Sequence, residues 1–173
     1  MDLPLHPVIV HFPVALTFVA LIAYPALALW IGSNPDRQKA WVVASVLSII
    51  LIAVSYAALF SGEQDAEAVS KIVGNDPIGE HAEAAEWFFY CSWIPFLFSL
   101  MGLKPWKGRK AGIWLTVLAQ VLVTGLLIEA AHHGGELVYK HGAARAHYEQ
   151  STQKAGEVPD PSGQEGAPGH PNP

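Results

Sequence analysis

Residues 8–31 read VIVHFPVALTFVALIAYPALALWI, 24 residues without a single Lys, Arg, Asp or Glu. About 20 apolar residues in an α-helix span the ~30 Å hydrocarbon layer of a bilayer, whereas a soluble helix of that length shows a polar face. This run shows none and predicts a membrane-crossing helix. Three more runs repeat the pattern, Ala40–Phe60, Ala84–Leu103 and Ala111–Ala131, each without Lys or Arg. Hydrophobic residues make up 51% of the 173, and the 14% that are charged crowd into short stretches between the runs. The fold expected is all-α: an integral membrane four-helix bundle within residues 1–149, with helices at about 8–31, 40–60, 81–103 and 111–133. The first run is expected to be retained rather than cleaved as a signal peptide. Its first charged neighbour is Asp2, and the run is longer than a signal core.

The connections set an expected orientation. GSNPDRQK (32–39) carries Arg37 and Lys39 against Asp36, and KPWKGRK (104–110) carries four positive charges and no negative one. Ser61–Glu80 carries five carboxylates and only Lys71, and reads as an acidic loop. The positive-inside rule puts both basic loops in the cytoplasm and the acidic loop and both termini outside, across a bacterial inner membrane. Nothing basic enough for nucleic acid stands out. Cys91 is the lone cysteine, which excludes an internal disulfide and a CxxCH haem attachment. Residues 150–173, rich in Pro and Gly, read as a disordered tail. No internal repeat is legible.

On this topology the histidines gather at one end. His6 and His11 open the first helix, His81 opens the third, His132 and His133 close the fourth, and His141 follows. Pro7 fits the first helical position, which makes His6 a cap and puts His11 one turn deeper. Small residues, Ala15 after His11, Ala84 and Ala85 after His81, and Gly125 before His132, leave space for a neighbouring helix or a flat macrocycle. Carboxylates crowd the same end: Glu63, Glu80, Glu83, Glu129 and Glu136. Ionisable groups near lipid tend to face a bundle interior and find a partner, and a metal-bound His commonly gives its second N–H to a carboxylate or carbonyl. Facing imidazoles on different helices suit a b-type haem, which asks only for axial nitrogens in an apolar slot. His with Glu equally suits a bare transition metal ion. The plain alternative is a set of interfacial anchors with polar tips among the headgroups.

HPVIVHFPVAL at the front, SGEQDAE, HAEAAE and GGELVYKHG together resemble a family of predicted bacterial membrane proteins known as domain of unknown function 2231. The likeness runs from Pro4 to Gly142. The motif residues carried over are His6, His11, Pro13, Gly62, Glu63, His81, Gly134, Gly135, Glu136, Tyr139, His141 and Gly142; His132 and His133 lie outside the pattern. Some members are joined to or encoded beside redox proteins such as Rieske-type iron–sulfur domains, so the resemblance implies haem and electron transfer. On that basis the expected axial ligands are His11 and His81. His6 and His141 form a second pair or a supporting shell, and Glu63, Glu129, Glu136, His132 and His133 support. Gly134 and Gly135 are expected to stop the last helix and fold Glu136 and His141 over the bundle mouth.

The function expected is therefore a membrane haem b electron-transfer protein or redox-complex subunit, linking the quinone pool to a periplasmic redox protein. It is expected in the lipid bilayer as a homo-oligomer or a complex subunit. No nucleophile-and-base set marks a stand-alone enzyme. The alternatives are an outer His/Glu site for metal binding or transport, and a structural subunit without cofactor. Transport is disfavoured because the deeper polar residues, Ser45, Ser48, Ser55, Thr116, Gln120 and Thr124, look too sparse for an ion path.

Overall fold

The structure, a computed structural model, describes residues 5–34 and 36–145. The tail expected over 150–173 lies outside the described residues. The described chain is helical, without strands: α1 (Leu5–Ile9), α2 (His11–Ile31), a 3-10 turn (Gln38–Trp41), α3 (Val42–Val73), α4 (Asn75–Cys91), α5 (Trp93–Leu103) and α6 (Arg109–Tyr139). Three spans are long and apolar enough to cross a membrane: Leu5–Ile31, Gln38–Glu67 and Arg109–Tyr139. The remaining apolar run is divided between α4 and α5.

Two prolines explain two breaks. Pro13 has no N–H for the carbonyl of Ile9, where α1 ends, and Pro95 has none for the carbonyl of Cys91, where α4 ends. Both prolines are buried. At each break the linking residue, Val10 or Ser92, keeps right-handed helical angles, so the chain kinks without looping. Pro25 is carried inside α2 without a break, as membrane helices tolerate.

The segments form two hairpins side by side. α1 and α2 pack on α3, α4 and α5 pack on α6, and the hairpins meet through α2 against α6 and α3 against α4 and α5. Near the basic connections, Tyr24, Ile31, Trp41, Ala44 and Ile113 make one core cluster. Tyr24 Oη donates to the Ala44 carbonyl (3.2 Å) and lies 2.7 Å from Ser48 Oγ, while Trp41 Nε1 donates to the Ser99 carbonyl (3.1 Å). Gln38 and Arg109 tie the connections together by a side-chain hydrogen bond. Leu51, Phe88, Val123 and Leu127 make a second cluster nearer the histidines. Large apolar side chains such as Ile22, Leu29, Leu118 and Ile128 point outward, while Thr17, Ser48, Ser99, Thr116 and Gln120 point in. Apolar outside and polar inside is the arrangement a bilayer solvent favours.

Two expectations are corrected here. The acidic stretch 61–80 is not a loop. α3 continues through it for a total of 32 residues, roughly 48 Å at 1.5 Å per residue, and α4 starts after a single glycine, Gly74, at φ 86°. Charge excludes a helix from hydrocarbon but not from water, so α3 continues beyond the apolar zone. Gly134 and Gly135 do not end α6 either, which runs on to Tyr139.

Candidate functional site

The kink at Val10 leaves α1 as a short segment lying on α3, with His6 half-buried against it. His6 Nδ1 lies 3.0 Å from the Ala58 carbonyl and 3.1 Å from Ser61 Oγ; Ser61 Oγ donates to the same carbonyl at 2.9 Å. A carbonyl only accepts, so Nδ1 carries the hydrogen, and the neutral ring keeps its lone pair on Nε2. His81, half-buried on α4, repeats the arrangement: its Nδ1 donates to the Ala130 carbonyl of α6 at 3.0 Å.

A glycine stands one turn beyond each accepting carbonyl. A Cβ on Gly62 would come within 3.1 Å of His6 Cε1, and a Cβ on Gly134 within 3.1 Å of His81 Cε1. Each imidazole thus lies against bare helix backbone, with Nδ1–H anchored to the carbonyl four residues earlier. The same device is used once in each hairpin. Across the interface the two rings meet edge to face, with centroids 6.2 Å apart and planes at 71°.

The other expected site residues are placed elsewhere. His11, the first residue of α2, is exposed and is not brought to His81. His141 is exposed beyond the end of α6, its backbone N–H on the Glu136 carbonyl at 3.1 Å. Glu63 is exposed on α3. His133 is half-buried between Glu129, 3.5 Å from its Nε2, and Glu80, 4.0 Å from its Nδ1. These three, with Glu83, Trp87 and Leu126, line a groove of about 250 Å³ between α4 and α6. His132 is exposed and reaches Glu136 at 3.4 Å, which is also held by Lys140.

Two contributors escape a reading of the sequence, Ser61 and Asp65. Ser61 braces the carbonyl that orients His6. The motif glycines Gly62 and Gly134 make room for the two rings. Asp65, one turn beyond Ser61 on α3, has a buried Oδ2 without a hydrogen-bond partner among the described residues. Also among the described residues, no three His, Cys, Asp or Glu side chains converge as a metal-binding group.

A family model described as "Predicted membrane protein (DUF2231)" matches residues 2–147, and the chain belongs to that family. No curated protein and no solved structure matches it.

Proposed function

We propose that this membrane protein crosses the bilayer four times and binds haem b between its two hairpins, with His6 and His81 as the axial ligands. The observation that carries the reading is the His6–His81 pair itself: two rings 6.2 Å apart, each with Nδ1–H tied to a backbone carbonyl. If haem were bound there, His6 and His81 would be the side chains that hold it, each with Nδ1–H fixed and Nε2 left to bind. A macrocycle supplies its own equatorial nitrogens, so two protein ligands suffice. When bound, such a group supplies reversible one-electron chemistry.

The chain's own residues have definable parts in this. The Ala58 and Ala130 carbonyls fix the tautomer and aim of each imidazole, a role outer-shell partners commonly play. Gly62 and Gly134 let the edge of each ring approach the helix backbone closely. The apolar second cluster beneath them lowers the polarity of the surroundings, which favours the less charged redox state. On this reading the basic connections face the cytoplasm of an inner membrane. Electrons pass between membrane quinone and a periplasmic redox protein at the histidine end.

Detergent-purified protein, expressed with ample haem, tests the reading: a Soret band and a dithionite-reduced α-band are expected. Colourless protein sinks it. A second reading, a bare transition metal ion, draws on His133 between Glu80 and Glu129 beside the pair. Stoichiometric metal in elemental analysis of colourless protein would favour it.

A further inference from the structure

Four buried polar atoms have no hydrogen-bond partner among the described residues: Thr17 Oγ1, Ser55 Oγ, Gln120 Oε1 and Asp65 Oδ2. Thr17, Gln120 and Ser55 are 0%, 1% and 2% exposed, so nothing outside the bundle reaches them. Most interior hydroxyls behave otherwise. Thr116, Thr124, Ser92 and Ser99 each donate to a carbonyl of their own helix, the usual way such residues are accommodated. The orphans are therefore a distinct set, and an unsatisfied polar group in a membrane interior costs several kcal/mol.

They stand at two levels. Asp65 lies at the histidine end. Thr17 and Ser55 each lie seven residues, about 10 Å, nearer that end than the Tyr24–Ser48 contact, which puts both near the middle of a ~30 Å layer. Thr17 and Gln120 are in direct contact, because Gln120 Nε2 donates to the Thr17 carbonyl at 3.3 Å. Thr124, hydrogen-bonded to the Gln120 carbonyl, stands one turn nearer the histidines on α6. The chemistry of the set is mixed: two hydroxyls that give and accept, and two oxygens that, with Asp65 ionised, only accept. A small molecule that both donates and accepts satisfies all four, and a cation does not satisfy the hydroxyl hydrogens.

We infer that Asp65, Ser55, Thr17 and Gln120 hold a file of internal water running from the histidine end to the middle of the bundle. Buried waters form about three hydrogen bonds to groups of this kind and are costly to remove. Such a file gives protons a route between the middle of the membrane and the His6–His81 pair. It does not depend on a metal or haem being bound there.

Two measurements on the full chain test the file. Thr17→Val keeps the side-chain shape and removes the hydroxyl. If the hydroxyl holds water, the thermal midpoint falls by roughly 2–4 °C, the shift for about 1 kcal/mol in a chain of this size. An unchanged or raised midpoint means the hydroxyl was dry and overturns the inference. Separately, in a Cys91→Ala background reconstituted in lipid, Ser55→Cys is treated with silver ion, which is small enough to follow water. Ser55→Cys should be protected from maleimide labelling carried out afterwards in denaturing detergent, while Ile50→Cys, on the exposed face of the same helix, should not. Equal labelling of the two refutes the water file whatever the Thr17→Val result.

Discussion

The imidazoles of His6 and His81 meet edge to face with centroids 6.2 Å apart, although 75 positions separate them in the chain and each belongs to a different hairpin. Each ring is oriented from its own side, His6 by the Ala58 carbonyl and His81 by the Ala130 carbonyl. Neither hairpin contains the pair, so packing of one hairpin on the other creates it.

Replacing His6 or His81 with Ala is expected to abolish haem loading, and His11→Ala to leave it intact. The reduced-minus-oxidised spectrum of each purified variant decides. Loss of the α-band in His11→Ala alone would move the ligand to the exposed position on α2.

If both rings bind one haem iron and keep the 71° between their planes, the angle has a spectroscopic consequence. Axial imidazoles set nearly perpendicular give a low-spin ferric signal dominated by one large g component, whereas parallel rings give a resolved rhombic set. The first pattern is expected in frozen-solution EPR of the oxidised protein. A rhombic set would mean that the anchored Nδ1–H contacts do not hold the rings at this angle.

Gly62→Ala and Gly134→Ala should separate the site from the fold. Alanine gains up to about 1 kcal/mol of helix propensity over glycine, but its Cβ presses on the imidazole at 3.1 Å. The expected outcome is a melting point little changed and haem loading reduced in both variants. Gly125→Ala, whose Cβ meets nothing within 4 Å, should raise the melting point and leave loading alone. Equal loading in all three removes the glycines from the site.

At the far end of the bundle, a Cβ on Gly102 would overlap the Trp41 indole, which is wholly buried and donates to the Ser99 carbonyl. Overpacking a tight site of this kind costs typically 1–3 kcal/mol. Gly102→Ala should lower the melting midpoint by several degrees in detergent, and the Gly102→Ala/Trp41→Phe pair should recover part of the loss.

The apolar runs were legible because absence of charge over 20 residues has few physical meanings. The helix breaks were not. Pro13, Pro25 and Pro95 are the same residue, yet Pro25 is carried through, and only packing separates it from the other two. Five residues, about 140° around a helix, separate His6 from His11, so only one of the two can face α3; it is His6, and His11 faces out. The glycines misled for a related reason. Gly134 and Gly135 carry the signature of a helix end, and α6 runs through them because Gly134 seats the His81 ring. Acid content likewise suggested a loop over 61–80, where a helix had only left the apolar zone.

The breaks at Ile9 and Cys91 also imply an order of assembly. Each histidine stands across a proline break from the rest of its apolar run, His6 on the five-residue α1 and His81 on the 17-residue α4. One rung of the backbone ladder is absent at each break, where Pro13 and Pro95 have no N–H to give, so α1 and α4 can settle against α3 and α6 after the apolar runs have entered the bilayer. If haem is the guest proposed above, it would be received between segments that latch last, with no need to prise apart a finished bundle.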